Sequence, residues 1–138
     1  MINSGIIQDG MHHFPVRVYY SDTDAGGVVY HGRYLDMAEH ARTEMLRLAG
    51  QEQTEQLADE GCGFVVQSLS ITYRRPAYLD DLLEIRTVIM KQGVFSMVLK
   101  QSFYRSEELL SDMEIKVGYV SISEGKPLPI PDTWKQLS

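Results

Sequence analysis

The most constraining feature is an asymmetry of hydrophobic period. One segment repeats at the helical spacing, and almost everything after it repeats at two. Across Gly32–Ala49, Tyr34, Met37, Ala38, Ala41, Met45 and Leu48 fall at i, i+3, i+4, i+7 positions. Asp36, Glu39, Arg42 and Arg47 fill the opposite side, and Gly50 supplies a stop signal. The spacing therefore predicts one long amphipathic helix. Phe64–Arg75, Leu82–Lys91, Val94–Arg105 and Leu110–Ile122 then read as strands. Pro76, Asp80-Asp81, Gly93 and Ser106-Glu107-Glu108 separate them. Before the helix, His13–Ser21 alternates, with Phe14, Val16, Val18 and Tyr20 on one side.

Consecutive strands joined by short turns form an antiparallel sheet, and a single helix is the cover for its apolar face. The expected fold is α+β, with about five antiparallel strands around one long helix. Residues 1–12 show no periodicity and read as a flexible lead-in to a single domain over 13–138. Residues 51–61 are polar, with room for one short helical turn. At 138 residues the chain fits one domain.

Charge and cysteine usage narrow the function. Thirteen Lys and Arg against nineteen Asp and Glu give a net charge of −6, opposite to the basic surplus of nucleic-acid modules. The lone Cys62 permits no internal disulfide and no thiolate zinc site, which suits a reducing compartment. Its place before a strand reads as an inert thiol. No apolar run approaches the roughly 18 residues of a membrane span, and no signal-peptide pattern opens the chain. These features together predict a cytoplasmic protein.

Several familiar patterns fail. Asp22-x-Asp24 with Gly27 starts like a calcium loop, but Gly26 and Arg33 stand where oxygen ligands belong. Gly61-x-Gly63 lacks the third glycine of a dinucleotide loop. His12-His13 reads as an exposed pair near the terminus, and no metal site is expected.

The informative segment is Tyr20-Ser-Asp-Thr-Asp24-Ala-Gly-Gly-Val-Val-Tyr30-His31-Gly-Arg-Tyr34. A carboxylate here sits in a Gly-containing loop that runs into a helix start. Unpaired N–H groups at a helix N-terminus can stabilise an oxyanion. A carboxylate beside them can attack a carbonyl or activate water. Taken alone, Asp before Gly is also an ordinary turn or cap signal.

The segment Asp-Thr-Asp24-Ala-Gly-Gly-Val-Val-Tyr-His31, followed by Ala-Arg-Thr-Glu-Met-Leu-Arg in the helix, resembles the signature of hotdog-fold acyl-CoA thioesterases of the 4-hydroxybenzoyl-CoA thioesterase type. Within that family it is most similar to the YbgC-like branch, which is linked to the Tol-Pal cell-envelope system. Ser-Ile-Thr-Tyr-Arg-Arg-Pro-Ala in the second strand extends the likeness, which covers about residues 13–131.

The resemblance implies a hotdog fold, with the sheet wrapped around the central helix, and hydrolysis of an acyl-CoA to a carboxylic acid and CoA. It casts Asp24 as nucleophile or general base. It casts the His31 backbone N–H as a donor to the thioester oxygen, with the His31 imidazole and Tyr20 as further catalytic groups. Gly27, Val29 and Tyr30 are expected at the substrate pocket. Arg74 and Arg75 are candidates for the phosphorylated end of CoA, with a solvated strand end as the alternative. Tyr20 also has a structural alternative as a core tyrosine, Asp22 reads as a loop or capping residue, and Glu39 reads as a solvated helix residue.

No cofactor is implied beyond the CoA of the substrate. The expected assembly is a homodimer built into a homotetramer, with an acyl carrier protein or lipid-synthesis protein as a further candidate partner. Two other functions fit the same fold. One is a non-catalytic acyl-CoA-binding or adaptor protein. The other is a hydroxyacyl-carrier-protein dehydratase, whose His-Phe-Pro motif resembles His13-Phe14-Pro15 but continues with Gly and Pro residues that are missing here.

Overall fold

The computed structural model describes residues 3–49 and 61–135. The expected helical turn within 51–61 therefore lies almost wholly outside the described residues. Six strands are present: β1 (Ile6–Gln8), β2 (Met11–Arg17), β3 (Cys62–Tyr73), β4 (Leu82–Gln92), β5 (Ser96–Arg105) and β6 (Glu108–Ser121). One long helix, α1 (Arg33–Leu48), lies between β2 and β3, and a short helix, α2 (Asp132–Lys135), follows β6.

The sheet order is β1-β2-β4-β5-β6-β3, and every neighbouring pair is antiparallel. The four strands after the helix match the predicted segments to within about two residues. β3 does not pair with β4, its successor in sequence. It lies beyond β6, at the sheet edge, with Leu69 opposite Ile115.

The apolar stripe of α1 packs on the concave face of the sheet. Tyr34, Met37, Ala38, Ala41 and Met45 join Leu83, Ile85, Leu99, Phe103, Met113 and Ile115 in one core. Leu48, predicted on the buried stripe, is 44% exposed, and Leu46 is buried in its place. Trp134 of α2 is fully buried against Phe64 and Tyr119 and closes one end of that core. Cys62 is buried with its thiol 2.8 Å from the Tyr119 hydroxyl.

The segment 1–12, read as a flexible lead-in, supplies from its described residues an edge hairpin that raises the strand count among the described residues to six. Asp9 and Gly10 both adopt positive φ (53° and 75°), the combination that a tight two-residue hairpin turn requires. β1 then pairs with β2, with Ile6 opposite His13. His12 is buried, not exposed; its Nε2 meets the Ser4 carbonyl oxygen at 2.8 Å. The Ser4 hydroxyl donates to Glu44 on α1 (2.9 Å), which ties the segment to the helix. His13 instead pairs with Glu84 at 3.0 Å.

The predicted first strand also ends early. It stops at Arg17, and Tyr20–Asp22 curl into a 3₁₀ turn. That curl sets up the site.

Candidate active site

The turn after β2 is organised by Asp22. Its carboxylate is buried and accepts the Tyr19 backbone N–H (2.8 Å) and Arg33 Nε (2.7 Å). Arg33 is the first residue of α1, so this pair clamps the loop to the helix start. The hydrogen bond to Asp22 also raises the Arg33 guanidinium above its ordinary pKa.

Between these anchors the chain doubles back. Asp24 N–H donates to the Val28 carbonyl (2.9 Å), Gly27 N–H to the Asp24 carbonyl (3.0 Å) and Tyr30 N–H to the Asp22 carbonyl (3.0 Å). Gly27 takes φ +79°, a conformation that glycine adopts without a Cβ penalty. Val29 N–H donates to the Ala77 carbonyl (2.9 Å), and the Val29 side chain enters the core, pinning the small hairpin to the body.

The result is an open cleft of about 350 Å³ with Asp24 and His31 on its wall. Val29, Tyr34, Tyr73, Arg74, Arg75 and Pro76 also line it. The Asp24 carboxylate is exposed, and its Oδ1 accepts the Gly26 N–H (2.8 Å). The helical ladder begins late: Arg33 N–H donates to the Tyr30 carbonyl and Leu35 N–H to the Gly32 carbonyl. Among the described residues, the His31 and Gly32 N–H groups have no hydrogen-bond acceptor. They are free donors at a helix start, and His31 lines the same cleft as the Asp24 carboxylate.

Of the predicted site residues, Asp24, His31, Val29, Arg74 and Arg75 are brought together. Gly27 and Tyr30 shape the cleft without lining it; the Tyr30 ring packs against His31 at a 43° tilt with centroids 4.5 Å apart. A side chain at residue 32 would meet that ring, since a Cβ there lies 2.9 Å from Tyr30 Cε2.

Tyr20 is neither a core tyrosine nor a lining residue: it is 82% exposed on the 3₁₀ turn. The backbone curl enforced by Asp22 ends the strand alternation before Tyr20 and turns its ring outward. Arg74 and Arg75 reach the cleft already paired, with Asp112 (2.7 Å) and Glu108 (2.7 Å). Glu39 is solvent-facing on the helix and accepts a hydrogen bond from Thr43.

Sequence reasoning did not single out Tyr73 or Tyr34. Tyr73 donates its hydroxyl to the His31 carbonyl oxygen (2.7 Å), and its ring meets Tyr34 edge-on at 5.3 Å. Tyr34 in turn stands on Phe103 at 5.1 Å. Burial pushes both phenols above their ordinary pKa, so both remain protonated near neutral pH. The strand alternation carried this signal, because it places Tyr73 on the helix-facing side of β3.

An antiparallel sheet around one helix, with a carboxylate loop delivered to that helix's N-terminus, is the architecture of hotdog-fold proteins. The comparisons agree: residues 26–111 match the family model described as Thioesterase superfamily, and the chain belongs to that superfamily, in its YbgC-like branch. It is 43% identical over 123 residues to the acyl-CoA thioesterase YbgC of Haemophilus influenzae, covering 89% of this chain and 90% of that protein. It is 38% identical over 130 residues to the acyl-CoA thioesterase YbgC of Helicobacter pylori, covering 88% and 95%. Among solved structures, a probable thioesterase from Bartonella henselae superposes with a TM-score of 0.83 at 36% identity, covering 88% of this chain and 99% of that one.

Proposed function

We propose that this chain hydrolyses the thioester of an acyl-CoA, giving a free carboxylic acid and CoA. The observation that carries the reading is the shared cleft of the Asp24 carboxylate and the free His31 N–H. The names of the YbgC relatives supply the substrate class. A thioester carbonyl bound against the His31 and Gly32 donors develops its negative charge beside two N–H groups that, among the described residues, have no other acceptor. Asp24 either attacks the carbonyl carbon, forming an anhydride that water then hydrolyses, or removes a proton from the attacking water. In both routes the C–S bond breaks and CoA leaves as a thiolate that takes up a proton. Water supplies the hydroxyl of the acid product.

Arg74 and Arg75 suit the phosphates of CoA. They are about half exposed or more, and their carboxylate pairs are solvent-screened contacts that a phosphate can replace at little cost. No cofactor beyond the CoA moiety is needed for these steps.

The working form in this reading is a homodimer, assembled further into a homotetramer. β3 is an edge strand with exposed Val65, Val66, Leu69 and Tyr73, an edge that a second copy can cover, and Tyr73 at its end lines the cleft. The reading also carries a cytoplasmic location, a link to the Tol-Pal system, and an acyl carrier or lipid-synthesis protein as partner. The support for these is the family resemblance and the acidic, single-cysteine composition.

The test is CoA release from short, long and aromatic acyl-CoAs by wild type and Asp24→Asn. Turnover that falls by orders of magnitude in the variant is the expected result. Binding without turnover in the wild type transfers the reading to a sensor or adaptor. Equal turnover in both moves the chemistry to another carboxylate.

A further inference from the structure

We propose that Tyr73 is a positioning residue for the hydrolysis, its hydroxyl holding the carbonyl of the planar His31–Gly32 peptide and so setting the direction of the Gly32 N–H, the donor carried by that peptide. This inference rests on the thioesterase reading above. The argument starts from an accounting of backbone groups. A carbonyl at the start of a helix ordinarily accepts from an N–H further along the ladder. Here the Leu35 N–H goes to Gly32, and among the described residues no backbone donor reaches the His31 carbonyl. The first turns close through the Tyr30 and Gly32 carbonyls and leave the His31 carbonyl between them outside the ladder. The Tyr73 hydroxyl, at 2.7 Å, takes the vacant place.

The anchor itself is stiff. Tyr73 ends β3, a strand with eleven registered partners on β6. Its ring leans edge-on against Tyr34, which is buried on Phe103. The His31 imidazole lies between the Tyr30 ring at 4.5 Å and the edge of Tyr73 at 6.5 Å. A sheet strand thus holds a peptide carbonyl at the helix start that, among the described residues, no backbone donor reaches. Misplacing a reacting group by about 1 Å can cost about 100-fold in rate, and losing one oxyanion donor about 100- to 1,000-fold. Loosening a donor without deleting it falls below those limits.

The experiment compares wild type and Tyr73→Phe on the best acyl-CoA. Tyr73→Phe deletes only the hydroxyl and keeps the ring contacts. The expected result is a kcat reduced about 10- to 50-fold with KM changed less than about threefold, because the donor acts mainly on the developing oxyanion. The same fold loss is expected when Tyr73→Phe is placed in a His31→Gln background, which retains the backbone N–H. Independently of turnover, the His31 and Gly32 amide resonances should shift and exchange faster in Tyr73→Phe, while those of Met37–Met45 stay in place.

An unchanged kcat in Tyr73→Phe, with wild type active, overturns the positioning role and leaves the thioesterase intact. A loss confined to KM overturns it as well, since that pattern marks uniform binding. A loss that vanishes in the His31→Gln background moves the effect to the imidazole and refutes the backbone argument. Wild type with no turnover on any acyl-CoA refutes the parent activity and this inference with it.

Discussion

Asp22 and Asp24 are two residues apart, yet they occupy opposite physical situations. This makes Asp22→Ala a sharp perturbation. The substitution deletes the acceptor of the Tyr19 N–H at 2.8 Å and the partner of Arg33 Nε at 2.7 Å. The Asp22 side chain is only 6% exposed, whereas Arg33 is 38% exposed. Hydrogen bonds to a charged group contribute about 1.5–3 kcal/mol each, and solvent around Arg33 reduces the second of these. The expected cost is about 2–4 kcal/mol. For a domain of this size about 1 kcal/mol corresponds to roughly 3–5 °C, so the melting temperature should fall by roughly 10 °C. Asp24→Asn is the counterpart. Asp24 is exposed, and the amide oxygen still accepts the Gly26 N–H, so melting should move by less than about 2 °C. The assay is thermal unfolding at matched protein concentration, paired with acyl-CoA turnover well below both melts. Asp22→Ala should lose stability and, through the released loop, part of its activity. Asp24→Asn should lose activity alone. An Asp22→Ala melt within about 2 °C of wild type refutes the clamp.

Three further outcomes follow from the packing. Burial holds the His12 imidazole below its ordinary pKa. The unfolded chain therefore takes up a proton near pH 6.5 that the fold refuses, and stability should decline as the pH falls below about 6.5. Urea unfolding from about pH 7.5 to 5 checks this, with His12→Gln expected to flatten the slope. Phe103→Ala empties the floor beneath Tyr34 and should cost about 3–5 kcal/mol in the same unfolding assay. Gln101→Leu strips the acceptor from Arg42 and the donor from Thr87, for about 1–3 kcal/mol by urea midpoint.

The long helix and the four later strands are legible in the sequence because burial of one face writes a period into it. Asp24 and His31 are legible as neighbours on one cleft because the carboxylate loop runs directly into the helix start. The misses have physical reasons. β1 pairs through its backbone, and its Ile6-Ile7-Gln8 side chains are all exposed, so pairing left no alternation; only Asp9-Gly10 carried the turn signal. Tyr20 continued the alternation of β2 on paper, but alternation does not record where a strand stops. That stop depends on Asp22 reaching Arg33, eleven residues away. Gln101 stands on the inward side between Leu99 and Phe103, and a polar residue there gains its place only through Ala38, Thr87 and Arg42. Leu48 fits the helical stripe but lies where the last turn of α1 leaves the sheet.

The order of strands also sets a timetable. β3 is made third but, among the described residues, finds its only sheet neighbour in β6, made last; Leu69 and its partner Ile115 are 46 residues apart. At about 5–20 residues per second, a nascent chain carries β3 unpaired for roughly 2–9 s. During that interval Phe64, Val65, Val66, Leu69 and Ile71 have no ladder to join. Loop closure over that span delays the step further, because distant contacts form after local ones. The hairpins β4-β5 and β5-β6 close as they emerge, and β3 docks onto the finished edge. Synthesis thus leaves until last the strand whose final residue, Tyr73, reaches the cleft of Asp24 and His31.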